Sequence, residues 1–484
     1  MASQKNPCLC AVLKYMEPNL RFMLSARAPQ LRPFNTSTPI HLQYLEFEPL
    51  QTTINNHTYQ LSVVKEWHPG HTEYGPCETL DQDLDQFGFE MDPDRLDKLQ
   101  GDVDLRESGP VRFTRSGRDR LENSEFMEME AERRVRFYES LLAKKLELES
   151  QENDMVKMFE NAMDIGKEQE PEDLENLIPP NQNPLDTEDP QLNRSISILL
   201  ANRTSQHLQI LLSSAKARYL PYQCRRSNLA PPYTLYLQLT LSWPTGIEHY
   251  RMKYSMKLNE ALKKMNSFFF KGRPPLRIKE MVIDPEIKIL RIPSGLKFKP
   301  SALSTPIEAL CPFKAILDRS NLVLNSLTVR NAKPKQLISF YYPGIRYAKT
   351  LIIENSFFEK ESWTSVLQAI SNKNVELKNE GSKFRSEDAL GLIKNWLDNG
   401  DRTHGTTISF GLKKESTGVR FVKAVKRQWE PEKSKKTYVV LPMKDKKLRL
   451  IVSCQELPLT QKQIENPNES RWILKLKIGK AKKH

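Results

Sequence analysis

A five-residue pattern returns at a fixed interval of 24: Leu327-Thr-Val329-Arg-Asn331, Leu351-Ile-Ile353-Glu-Asn355 and Val375-Glu-Leu377-Lys-Asn379. Apolar residues at positions one and three of each unit point to one side of a strand, and Asn closes it. The intervening stretches are helix-like or irregular, most clearly at Trp363, Val366, Leu367 and Ile370. A period of about 20–29 residues with this design is that of a leucine-rich-type solenoid, whose units bury their apolar stripes only against their neighbours. Two details depart from it. Asn sits one residue nearer the strand than in the leucine-rich consensus, and only three units are clear, an earlier candidate strand from Met281 to Asp284 lying off the period. The fold expected is α/β (mixed α+β), a leucine-rich-repeat-like strand/helix solenoid, with a plain mixed α/β sheet as the alternative.

Strand and helix signals alternate on both sides of the repeats. Upstream, Leu235, Leu237, Leu239 and Leu241 alternate as in a half-buried strand, and Pro244-Thr245-Gly246 turns the chain into a returning strand over 250–256. Leu258, Ala261, Leu262, Met265 and Phe269 then mark an amphipathic helix. Downstream, Ser386 can cap a helix through Leu390, Ile393, Trp396 and Leu397, with Gly400 at its end. Strands at 406–412, 438–441, 448–452 and 472–478 and a helix at 419–429 follow. Near the start, Leu9, Val12, Leu13 and Met16 recur at helical spacing, Pro18 breaks the run, and Leu20, Met23 and Leu24 resume it before Pro29. Ile40 to Phe47 and Ile54 to Val63 flank the turn-prone Asn55-Asn56 and suggest a hairpin.

Charge divides the chain. Residues 221–484 carry 49 Lys+Arg against 23 Asp+Glu, whereas 71–190 carry 14 against 33. The apolar share of 38% falls below the roughly 45–50% usual for globular chains, which predicts a substantial unfolded part. That part is assigned to 71–194, an acidic linker or insertion with one charged helix near 119–160 and a Pro-rich, disordered end at 168–190. Leu141, Leu148 and Met155 fall at seven-residue steps, but Lys144 and Gln151 occupy the positions between. A solvated single helix is expected there, with a coiled coil as the alternative. The organisation expected is thus 1–36 helical, 37–70 a β-hairpin segment packing with the C-terminal domain, 71–194 the insertion, and 195–484 a basic α/β domain.

Reactive constellations are not found in the sequence. The six cysteines are scattered, which points to a reducing compartment, cytoplasmic or nuclear. Cys8-X-Cys10 has no second pair, and His68 and His71 have no ligand cluster, so no metal and no cofactor are expected. Phosphate-cradling glycine loops and a G-x-S-x-G elbow are missing too, and the chain is not expected to be an enzyme. No apolar run spans a bilayer, so no membrane is expected as a partner. The basic C-terminus, with Lys413, Lys414, Lys423, Lys426, Arg427, Lys433, Lys435, Lys436, Lys444, Lys446, Lys447, Arg449 and the tail from Lys475, has the charge of a phosphate footprint. No nucleic-acid motif accompanies it, and a solvated basic face is the preferred reading over nucleic acid.

The run Pro7-Cys-Leu9-Cys-Ala-Val12-Leu13-Lys-Tyr15-Met16-Glu-Pro18-Asn-Leu-Arg21-Phe22-Met-Leu-Ser25-Ala-Arg27-Ala-Pro29 resembles the start of the nematode F-box-associated family of F-box C type. The block Gln223-Cys-Arg225-Arg226-Ser-Asn228-Leu-Ala-Pro231-Pro232-Tyr233-Thr-Leu-Tyr-Leu-Gln-Leu, the run Leu392-Ile-Lys-Asn-Trp396 and the closing Trp472-Ile-Leu-Lys-Leu-Lys fit the same family. The resemblance covers about 1–66 and 195–484 and implies a main domain with no assigned function. It also implies that the F-box-like N-terminal helices dock a Skp-type adaptor while the remainder holds a substrate protein for ubiquitin transfer. The adaptor face would then be Leu9, Val12, Leu13, Met16, Pro18 and Leu20. A third helix is not expected, because Ser25-Ala-Arg27-Ala-Pro29 stands where its lead-in belongs. Three function classes remain: a substrate-recruiting ubiquitin-ligase subunit, a protein-binding scaffold without adaptor contact, and a basic nucleic-acid-contacting protein.

Overall fold

The computed structural model describes residues 7–71, 77–91, 98–106, 116–150, 196, 200, 202–318, 320, 323–355, 362–379, 384–400, 402–457 and 471–481. The Pro-rich stretch 168–190 and Met155 lie outside them.

The chain opens with α1 (Pro7–Tyr15) and α2 (Pro18–Arg27), broken where expected at Pro18. Glu17 caps α2, its carboxylate accepting from the backbone N–H groups of Asn19 and Leu20. A third short helix, α3 (Arg32–Ser37), follows, contrary to the expectation of two. Pro29 breaks α2 but the chain re-enters helix after one 3-10 turn, and buried Arg21 holds it by donating to the carbonyls of Asn35 and Thr38. Next come β1 (His41–Glu48), β2 (Gln51–Ile54) and β3 (His57–Trp67), with the expected turn at Asn55-Asn56 between β2 and β3. Asn55 takes φ 55°, a left-handed conformation that Asn tolerates better than most residues.

The acidic region contributes β4 (Glu78–Leu80), β5 (Val103–Asp104) and α4 (Ser116–Ser150). Then follow α5 (Ser205–Ser227), β6 (Tyr233–Trp243), β7 (Gly246–Lys253), α6 (Leu258–Phe270), β8 (Leu276–Ile283), β9 (Ile289–Leu290) and β10 (Phe298–Pro306). The remainder is α7 (Leu310–Phe313), β11 (Ser326–Arg330), α8 (Pro343–Tyr347), β12 (Thr350–Asn355), α9 (Thr364–Ala369), β13 (Asn374–Asn379) and α10 (Ser386–Asn399). It closes with β14 (Thr407–Leu412), α11 (Glu415–Gln428), β15 (Lys433–Lys435), β16 (Tyr438–Pro442), β17 (Leu448–Glu456) and β18 (Trp472–Lys480).

One mixed sheet of 16 strands runs through the described residues, in the order β15-β16-β17-β18-β14-β13-β12-β11-β10-β8-β1-β2-β3-β6-β7, with β4 beside β3. Strands β1, β8, β10, β11, β12, β13 and β14 are parallel, and the strands flanking them on both sides are antiparallel. Leu327, Leu351 and Val375 are Cα partners on adjacent strands, so the 24-residue period is the spacing of a parallel ladder. Leu303 on β10 pairs with Leu327 at the same step. This fourth unit escapes the sequence pattern because Thr305 and Pro306 replace its later residues. Met281 pairs with Leu303 and thus continues the rung at a shorter step, which is why its strand lies off the period.

Side chains alternate across these strands, and alternate rungs have different fates. The rungs through Leu45, Met281, Leu303, Leu327, Leu351, Val375 and Ile408, and through Phe47, Ile283, Val329, Ile353, Leu377 and Phe410, are buried. They share one core with Phe22 of α2, Phe270 of α6, Val366 of α9, Trp396 of α10 and Val422 of α11. Each such side chain contributes about 1.5–3 kcal/mol of burial, so this face is where the fold is held.

Two buried polar residues join successive units. Asp388, in the first turn of α10, accepts from Trp363 N at 3.1 Å and Thr364 Oγ1 at 2.9 Å, capping α9 from the next helix. Asn372 donates from Nδ2 to the carbonyls of Ile345 and Ala348, at 2.7 and 2.8 Å, and so ties the end of α8 to the lead-in of β13.

The acidic region is pinned to this frame at several points where the sequence reads as unfolded. β4 pairs with β3 and β5 with β9. Asp102 is buried and forms ion pairs with Arg291 and Lys263, which explains why a short acidic loop can be seated against a basic domain. α4 is not a solvated single helix. Phe137 and Leu141 pack with Leu208 of α5, and Glu128 pairs with Arg225 while Glu139 pairs with Lys216. Those pairings run the two helices in opposite directions.

Candidate binding surfaces

The first surface is made by α1 and α2. A hydrogen-bond network fixes the turn between them to the β2–β3 turn. Glu17 Oε1 accepts from Asn19 Nδ2 and Asn55 Nδ2 at 2.9 and 3.0 Å, Asn19 Nδ2 donates to Ile54 O, and Tyr59 donates its hydroxyl proton to Asn19 Oδ1 at 3.0 Å. Burial, with Glu17 behind it, raises the Tyr59 pKa and keeps that hydroxyl a donor. Beneath, Phe22 packs on Phe269 with ring centroids 4.9 Å apart, and Arg273 lies over the Phe22 ring. Arg21 and Arg273 both donate to the Asn35 carbonyl. Burial, then Arg21 and Arg32, hold Arg273 well below the ordinary arginine range. α2 is therefore held to the β2–β3 turn and to α6, and α1 packs against α3.

Six residues were expected to form one adaptor face, and the structure divides them. Val12 is 58% exposed and Leu20 55%, whereas Leu9, Met16 and Pro18 are half-buried. Leu13 is 1% exposed, so it serves packing and offers nothing to a partner. Helical geometry explains the split, because adjacent positions on α1 point about 100° apart. Tyr15, 84% exposed and one turn from Val12, joins the outward set. Its position in the same helical run was the signal that could have revealed it.

The second surface is the other side of the sheet. Register and alternation place Tyr44, Glu280, Ala302, Ser326, Thr350, Asn374, Thr407, Lys477, Ile451, Val440 and Lys433 along one outward rung. The next holds Glu46, Val282, Ser304, Thr328, Ile352, Glu376, Ser409, Lys475, Ser453, Tyr438 and Lys435. Charge changes sign along them. Glu46 and Glu280 stand on β1 and β8, the last of the parallel strands, where Tyr44 donates to Glu46 at 2.7 Å and has a raised pKa from burial and from both glutamates. The centre holds mainly small polar side chains, with Ala302, Val282 and Ile352 among them. Across it, at the fourth position of the 24-residue units, Glu354 pairs with Arg330 at 3.5 Å and Lys378 at 3.2 Å. Lysines dominate the β15–β18 end. The basic residues counted along the sequence thus separate: Lys433, Lys435, Lys475 and Lys477 share this face, while Lys423 and Arg427 lie on α11, whose Phe421 and Val422 pack against the opposite one.

Taken together, the chain is a mixed α/β protein with one helix-covered face and one polar face. Residues 257–414 match the family described as a domain of unknown function (DUF3557), a span running from the lead-in of α6 to the end of β14. That span holds the parallel strands from β8 to β14 and leaves out the flanking antiparallel strands, the insertion and the N-terminal helices. No curated protein and no solved structure matches the chain. A matched domain of no assigned function agrees with what the family resemblance implies for the main domain. Among the described residues no helix is long and apolar enough to cross a membrane.

Proposed function

We propose that this is a non-catalytic protein-binding protein, leucine-rich-like in its parallel units, whose N-terminal helices dock a Skp-type adaptor as the F-box resemblance implies. The carrying observation is the exposed apolar set Val12, Tyr15 and Leu20: Leu20 is on α2, which Glu17, Asn19, Arg21 and Phe22 tie to the β2–β3 turn, α3 and α6, and Val12 and Tyr15 are on α1, which packs against α3. Large exposed apolar side chains on a well-anchored element favour a partner that covers them. In this reading the polar sheet face holds the protein to be modified, and the setting is cytoplasmic or nuclear, in keeping with six free cysteines.

The test immobilises the full chain and measures retention of a purified Skp-type adaptor. Retention by the parent and a loss of roughly tenfold or more in affinity for Val12→Glu with Leu20→Glu is expected, since burying a charge in an apolar contact is costly. Leu13→Ala should instead lower stability by about 2–5 kcal/mol while leaving retention by the folded fraction intact. A parent that retains no adaptor removes the adaptor and leaves the plain scaffold as the reading.

A further inference from the structure

We infer that the β15–β18 end of the polar sheet face is a docking site for an acidic, extended segment of a partner polypeptide. The inference deepens the protein-binding reading and rests on it. Lys433, Lys435, Lys475 and Lys477 stand on outward rungs of one face, brought together from two stretches of sequence by the pairings β15-β16-β17-β18. Residues two apart on a strand are separated by about 7 Å, and three strand spacings span about 14 Å. The four ammonium groups therefore rise from the corners of a shallow rectangle whose floor is Ser453, Tyr438, Val440 and Ile451. None of the four lysines makes an ion pair among the described residues, whereas Arg449 nearby is held by Glu432 at 2.6 Å.

The remainder of the face decides what kind of partner fits. Beyond Ser409 comes Glu376, then the Arg330–Glu354–Lys378 group, and finally Glu280 and Glu46. A nucleic-acid strand continuing across would set phosphates against these carboxylates. A polypeptide can change charge along its length, acidic over the lysines and basic over β1 and β8, and match the face from β15 to β1.

The probe is a fluorescent peptide of alternating Glu and Thr, which in extended form presents every glutamate on one side. The full chain should bind it with an affinity that falls as salt rises. Lys433→Glu, Lys435→Glu, Lys475→Glu and Lys477→Glu together should weaken binding by about tenfold to a hundredfold. A control with the same charge change on α11 and its N-cap, Lys414→Glu, Arg420→Glu, Lys423→Glu and Arg427→Glu, should bind like the parent. If the first variant unfolds, the corresponding four Lys→Gln substitutions take its place. Equal losses in both variants would reduce the effect to net charge and overturn the inference, as would no loss in either. Tighter binding of a single-stranded oligonucleotide of equal charge would overturn it in favour of nucleic acid. Val12→Glu with Leu20→Glu should leave peptide binding unchanged, so failure here and failure of the adaptor reading are told apart.

Discussion

Asp102 shows how much one side chain can settle. It sits in a stretch whose composition reads as unfolded, yet its carboxylate is fully buried, accepting from Leu99 N at 3.0 Å and pairing with Arg291 and Lys263. Removing one partner of a buried ion pair leaves the other charge stranded, at a cost of about 3–5 kcal/mol. Asp102→Ala should therefore lower the urea midpoint by that equivalent, and adding Arg291→Met should recover part of it. A loss below about 1 kcal/mol would mean that the insertion is not seated as described. The cysteines give a second residue-scale check. Burial raises the pKa of Cys224 and of Cys454, the latter helped by Glu415, and disfavours the reactive thiolate in both. At mildly alkaline pH a thiol reagent should modify exposed Cys8, Cys77 and Cys311 quickly and reach Cys224 and Cys454 only after denaturation. Fast modification of all five would contradict their placement. Neither Asp102 nor Asn372 was legible in the sequence, because both act through partners more than 20 residues away.

At the level of elements, strands that bury one row of apolar side chains were readable, and what they pair with was not. The alternation in 233–243 and the three 24-residue units gave correct strands, since a two-residue period leaves little choice of face. β10 was missed because Thr305 and Pro306 interrupt its apolar pattern, and α3 because Pro29 looked like an ending. α4 was read as solvated because its partner α5 lies beyond a long intervening stretch. The seating of α11 provides the element-scale prediction. A Cβ on Gly418 would lie 3.0 Å from Cys454 Cβ and closer still to its Sγ, so the helix approaches β17 only through glycine. Elsewhere in a helix Gly→Ala gains up to about 1 kcal/mol. Here Gly418→Ala should destabilise by about 1–3 kcal/mol, and Cys454→Ala in the same chain should relieve much of it. A more stable Gly418→Ala protein would mean that α11 sits farther from the sheet.

For the whole molecule, the feature that organises everything else is a parallel ladder of units that puts helices on one face and leaves charged, small and polar side chains on the other. The division of the N-terminal candidate residues follows from the same frame. Leu13 is buried and Val12 exposed because α1 packs in one orientation against α3, in the helical segment that α2 fixes to the β2–β3 turn. The most direct measurement places nitroxide spin labels at Thr328 with Ile352, and separately at Thr328 with Glu376, in chains whose native cysteines are replaced. These positions lie one and two strands apart, about 5 and 10 Å at the backbone. Spectra of both pairs should show dipolar broadening, stronger for the first. Spectra equal to the sum of the single labels would contradict the ladder, and with it the surface on which partner binding depends.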